Sequence, residues 1–157
     1  MAKTLVAYFS ASGVTKTLAQ RLADVTGGDL FEIVPEIPYT RADLNWTDGK
    51  SRSTVEMRDA ASRPAVASRV ADMAQYDLVY VGFPIWWYVA PTIINTFLEQ
   101  YDLTGKTVVP FATSGMSGMG ETNSRLAPSC PGALLKEGRR FSARADEREL
   151  ADWVRSL

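Results

Sequence analysis

The chain has 157 residues, 46% of them hydrophobic and 22% charged, the profile of one globular domain with apolar material for a sizeable core. A formal net charge of -1 and the lack of a basic run argue against nucleic acid as a partner. With no histidine, Ser-His-Asp and Cys-His catalysis are excluded and most zinc sites with them, and one cysteine excludes an internal disulfide.

Leu5–Phe9 reads as the first strand. Its apolar run is too short for a secretory signal or a membrane span, and no later run approaches about 18 residues, so a soluble, cytoplasmic protein with no membrane partner is expected. Val14–Val25 carries Val14, Leu18, Leu22 and Val25 at helical spacing and ends at Gly27-Gly28. Asp29–Pro35 reads as the second strand. An irregular insertion, about 36–64, follows, with a helix near Ser53–Ala61. A short helix is expected over Val66–Met73. Asp77–Phe83 is continuously apolar, as a strand buried on both faces should be.

Pro91 suits a first helical turn, and Ile93, Ile94, Phe97, Leu98 and Tyr101 then form one apolar stripe. Thr107–Ala112 is the fourth strand. Proline cannot donate to a ladder, so Pro110 predicts a bulge or a locally unpaired position. A helix is expected near Glu121–Leu126. Ala133–Ser142 reads as a fifth strand interrupted by Gly138. Asp146 with Glu149 resembles a capping box opening a last helix, whose buried face is Leu150, Trp153, Val154 and Leu157. Strand–helix alternation predicts an α/β fold with a parallel sheet, helices on both faces and right-handed crossovers. With no repeat or linker, one domain is expected over 1–157.

Ligands of such sheets bind beyond the carboxyl ends of the strands. After the first strand comes "SASGVT": Ser10, Ser12 and Thr15 offer hydroxyls, Gly13 allows close approach, and Val14 opens a helix whose free N–H groups suit a phosphate. Plain N-capping by Ser12 explains the same residues. After the third strand comes "GFPIWWYVAP", with Pro84, Ile85, Trp86, Trp87 and Tyr88 in a loop between strand and helix. One indole there packs on the protein, while the other, or Tyr88, faces a ligand. After the fourth comes "TSGMSGMG", where Thr113, Ser114, Gly115 and Gly118 can approach a flat ring closely, or form a flexible turn. A phosphate cradle, an aromatic loop and a glycine-rich loop together suit flavin mononucleotide (FMN).

The chain also resembles the flavodoxin family over nearly its whole length. "YFSASGVTK" is similar to the family's phosphate loop, and "VGFPIWWYVAPTIINTFLE" and "FATSGMSGMG" to its two ring loops. "PEIPYTRADLNW" and "SRPAV" resemble a subgroup with a longer segment between strands two and three. The resemblance implies a doubly wound five-stranded sheet in order 2-1-3-4-5, with FMN at its carboxyl edge. Ser10, Ser12, Gly13, Val14 and Thr15 would wrap the phosphate, Pro84–Tyr88 would flank the ring, and Thr113, Ser114, Gly115 and Gly118 would reach its pyrimidine end. Two features depart from familiar members: residues 82–98 and 111–120 carry no charge, and Tyr88 stands where a glycine is expected.

The resemblance implies electron transfer to a redox partner protein or a small aromatic acceptor. An FMN-dependent NAD(P)H:quinone or nitroaromatic oxidoreductase is the alternative, and a flavin-free binding module a third. Elsewhere, Cys130 reads as a free loop thiol and Trp153 as core. Tyr39 and Trp46 either cover the flavin or pin the insertion. Arg41, Arg52 and Arg58 are either a solvated face or contacts for NADPH phosphates.

Overall fold

The computed structural model of the protein describes residues 3–114 and 118–157. Strand β1 (Thr4–Tyr8) leads to helix α1 (Val14–Thr26) and strand β2 (Asp29–Glu32). The insertion carries α2 (Arg52–Arg58). Then come β3 (Leu78–Pro84), α3 (Thr92–Glu99), β4 (Thr107–Thr113), α4 (Thr122–Leu126), β5 (Leu134–Leu135), β6 (Arg139–Phe141) and α5 (Glu147–Ser156). Among the described residues the strands form one parallel sheet in order β2-β1-β3-β4-β5, with β6 also on β4.

The period-two alternation of the strands divides the core. Leu5 and Ala7, Val79, Val81 and Phe83, and Val108 and Ala112 face the side covered by Ile93, Ile94, Phe97 and Leu98 of α3 and Leu126 of α4. Val6 and Tyr8, Tyr80, and Val109 and Phe111 face the opposite side, where α1 and α5 contribute Leu18, Leu22, Leu150 and Trp153. Gly82 is paired with Phe111 across β3 and β4, and a Cβ on it would lie 2.2 Å from that ring. The "VGF" of the third strand therefore leaves room for a phenylalanine on its neighbour.

Several expected elements change. The stretch Val66–Met73 is not a helix: Pro35 and Val66 form an antiparallel bridge, with bonds from Glu36 N to the Ala65 carbonyl (2.9 Å) and from Ala67 N to the Val34 carbonyl (2.7 Å). The second strand accordingly leaves β1 after Glu32 and closes the base of the insertion with these residues. Pro64 favours extended backbone before it, and β-branched Val66 suits a bridge. Only a 3-10 turn, Met73–Gln75, follows.

No bulge marks Pro110, which stays in register with Val81. The carbonyls of Lys106 and Val108 accept from Leu134 and Lys136, so the same alternation turns the Pro110 nitrogen toward the β5/β6 side. There the fifth strand is split: β5 pairs with residues 107–108 of β4, β6 pairs with 111–113, and Pro110 falls in the gap. Gly138 lies in that gap, and a Cβ on it would stand 2.4 Å from the Pro110 carbonyl oxygen. In α5, Asp146 accepts from Glu149 N (2.9 Å) as its cap, Leu150 and Trp153 are buried, and Leu157 is exposed.

Candidate functional site

The carboxyl end of β1 delivers residues 10–15 to the start of α1. Gly13 adopts φ 95°, a left-handed conformation that glycine takes without strain, and space beside its Cα is open. Ser10, and not Ser12, caps this turn: its Oγ accepts from Gly13 N (3.0 Å) and Lys16 N (3.2 Å). The Ser12 hydroxyl and the N–H groups of Ala11, Ser12, Val14 and Thr15 take no partner among the described residues. They lie at the positive end of a 13-residue helix. Thr15 turns inward, and its hydroxyl meets that of Thr113 at 2.7 Å in a buried pair that joins the first turn of α1 to the end of β4.

After β3, Trp86 and Val89 exchange two backbone bonds, from Trp86 N (3.0 Å) and Val89 N (3.1 Å). This closes a two-residue turn on Trp87 and Tyr88, at φ 50° and 65°. Both are conformations that side-chain-bearing residues adopt at a cost of about 1–2 kcal/mol each. Trp86 packs inward, its ring edge-on to Phe9 (5.8 Å) and Tyr39 (5.6 Å). Trp87 and Tyr88 project outward, 43% and 64% exposed. The far end of the glycine-rich loop holds this turn: Glu121 N donates to the Tyr88 carbonyl (3.3 Å), and Gly120 sits too close to that carbonyl for a Cβ.

Two cavities meet at Ile85 and Trp86. The first, of about 760 Å³, runs from Ser12 and Val14 past Pro84, Ile85 and Trp86 to Thr113 and Ser114. The second, of about 460 Å³, lies between Leu44 and Trp46 of the insertion and Trp86, Trp87 and Tyr88. Of the residues expected at one site, Ser10 and Thr15 support the first cavity from behind, and Trp87 and Tyr88 line the second. Gly118 lines neither cavity, and Gly115 lies outside the described residues.

Ser142, Ala143 and Arg144 also line the first cavity. They follow the carboxyl end of β6, so the strand-end rule applied to the last strand would have found them. Arg140 was missed as well; its Nε donates to Ser114 Oγ (3.1 Å) and a terminal nitrogen donates to the Ser114 carbonyl (2.9 Å). The cavity thus has one cationic group in its lining, Arg144, and a second, Arg140, bonded to its lining residue Ser114, although its three loops are neutral.

Tyr39 pins the insertion. Its hydroxyl donates to Glu56, Arg52 stacks 3.8 Å over its ring, and Arg52 also bonds Glu56 (2.9 Å). Burial, reinforced by Glu56, pushes the phenol well above its ordinary pKa. Arg52 is therefore engaged in holding the insertion, and Arg41 lines none of the described cavities. Cys130 is buried and donates to the Leu126 carbonyl, and burial raises its pKa, which describes an inert thiol. No group of metal-ligating side chains occurs among the described residues, and no described helix is long and apolar enough to cross a membrane.

The family model for flavodoxin matches residues 3–157. A solved structure of a proposed flavoprotein from Bacteroides eggerthii is 48% identical, covers 100% of this chain and 98% of its own, and superposes with a TM-score of 0.94. A flavoprotein in complex with FMN from Lactobacillus acidophilus is 24% identical, covering 98% and 99%, with a TM-score of 0.75. Oxidised flavodoxin 2 from Bacillus cereus is 20% identical, covering 99% and 97%, with a TM-score of 0.60, a likeness of fold. No curated protein matches the chain.

Proposed function

The chain belongs to the flavodoxin family, and from that premise we propose that it binds FMN in the larger cavity and transfers electrons. One observation carries the reading: unpartnered N–H groups and the Ser12 hydroxyl at the start of α1 open onto the same cavity as Trp86, Thr113 and Ser114. A phosphate suits the first set and a flat ring the second. The volume, about 760 Å³, lies within the range of cofactor pockets.

The Ser12 hydroxyl and the amides of Ala11, Ser12, Val14 and Thr15 would hold the phosphate, with Ser10 fixing the turn through the Gly13 amide and Thr15 tying it to Thr113. Pro84, Ile85 and Trp86 would border the ring and keep water from one side of it. Bound flavin supplies one- or two-electron chemistry. The chain tunes that chemistry by charge: Arg140, anchored on Ser114, and Arg144 favour extra negative charge in the cavity. Familiar acidic flavodoxin surroundings would oppose it. Replacing Arg140 by Gln should therefore lower the flavin midpoint potential, by tens of millivolts as an order of magnitude; an unchanged potential would remove Arg140 from this role.

A second reading rests on the neighbouring aromatic cavity. It shares Ile85 and Trp86 with the first, which favours a small aromatic acceptor over a protein partner. FMN-loaded protein mixed with NADPH and a soluble quinone separates the two. Sustained NADPH consumption without any partner protein supports the oxidoreductase, and none supports the carrier. A protein that stays colourless and takes up no FMN contradicts both.

A further inference from the structure

Beyond the aromatic cavity lies a third, of about 310 Å³, in which Trp46 and Trp87 recur beside Arg58 and Arg125. Trp46 and Trp87 thus line both chambers of one groove, aromatic toward the flavin cleft and cationic away from it. Trp46 is 72% exposed, and Trp87 is held outward by a turn that its own side chain disfavours. The Arg58 and Arg125 side chains have no hydrogen-bond or ion-pair partner among the described residues, and the cavity they line contains no acidic side chain. Exposed indoles beside unpaired guanidinium groups leave apolar area uncovered and charge unmatched, and one kind of ligand satisfies both.

We propose that this groove binds a planar aromatic molecule carrying an anionic group, with its ring between Trp46 and Trp87 and its sulfonate or carboxylate toward Arg58 and Arg125. Indole faces suit a fused ring, and a guanidinium pairs with such an anion through two parallel bonds. Position gives the site a purpose: a ring seated among Trp86, Trp87 and Tyr88 is one wall away from the flavin cleft. The inference names the acceptor class of the site proposed above and rests on that reading for its redox purpose. The binding chemistry itself does not require flavin.

The test uses two redox-inert probes of one shape, 2-naphthalenesulfonate and neutral 2-naphthol, titrated calorimetrically into protein incubated with FMN. FMN uptake is measured separately by fluorescence quenching. The sulfonate should bind about tenfold more tightly than the naphthol. Arg58→Gln and Arg125→Gln should each remove several-fold of that preference and leave FMN uptake unchanged. Trp46→Ala should weaken both probes. Equal affinities, or a preference untouched by both arginine variants, would overturn the proposal, as would competition between the sulfonate and FMN. Sulfonate binding that persists in protein unable to take FMN would support the groove and sink the flavin reading alone.

Discussion

At the scale of single residues, the Thr15–Thr113 pair is where the start of α1 touches the end of β4. Both hydroxyls are buried, so removing one leaves the other without its partner. Thr15→Val should cost about 1–3 kcal/mol of stability, and the double variant Thr15→Val/Thr113→Val less than the single one, because the orphaned hydroxyl is gone. Chemical denaturation of the three proteins measures this; a double variant worse than the single one would refute the pairing. Tyr88 makes the opposite case. Glycine at φ 65° carries no steric cost and Tyr88 is mostly exposed, so Tyr88→Gly should leave Tm unchanged or raise it by up to about 4 °C. Tyr88→Val, β-branched at positive φ, should lower it. A fall in Tm for the glycine variant would show that the ring, not the turn, stabilises this loop. The departure at Tyr88 was legible in the sequence as a missing glycine, but its consequence, two consecutive residues at positive φ, was not. Periodicity describes strands and helices and says nothing of the handedness of a two-residue turn.

At the scale of elements, the insertion is tied to the body at its base and near both of its ends. Its base is the Pro35–Val66 bridge, its first segment is held by Tyr39 against Phe9 and Trp86, and its last by Arg63 bonded to Glu99 at the end of α3 (2.8 Å). The Arg63 guanidinium holds the Glu99 carboxyl below its usual pKa against a smaller opposing effect of burial, and Ser129 adds to the lowering. A depressed carboxylate stabilises the fold above its unfolded pKa and loses that contribution as pH falls through the folded value. The stability gap between the protein and Glu99→Gln should therefore be constant near neutrality and shrink below about pH 4. It should be at most about 1 kcal/mol, because the pair is partly exposed. A pH-independent gap would mean that packing, not charge, holds the insertion there. Sequence pattern misread the stretch that follows the insertion, since Val66–Met73 has helical composition and the pairing partner of Val66 lies some 30 residues earlier. The same limit applies to Pro110: a local rule foresaw an unpaired position, while the split of β5 from β6 that supplies it is a property of the neighbouring strand.

At the scale of the whole molecule, alternation along three central strands allots residues to two cores, and the helices that cover them follow from the same spacing. That much was readable, and so was the order 2-1-3-4-5 through family resemblance. Arg144 was within reach of the strand-end rule, applied to the last strand. The bond of Arg140 to Ser114 and the groove between insertion and turn were not readable, because each brings together side chains far apart in the chain. In the proposed function, the start of α1 and the loops after β3 and β4 form one FMN site. Fluorescence titration of flavin-free protein with FMN and with riboflavin, which lacks the phosphate, tests it most directly. Stoichiometric quenching of FMN is expected, with riboflavin binding weaker by about a hundredfold or more, the difference residing in charge-assisted bonds to the α1 loop. FMN and riboflavin binding alike, or neither being quenched, would contradict it.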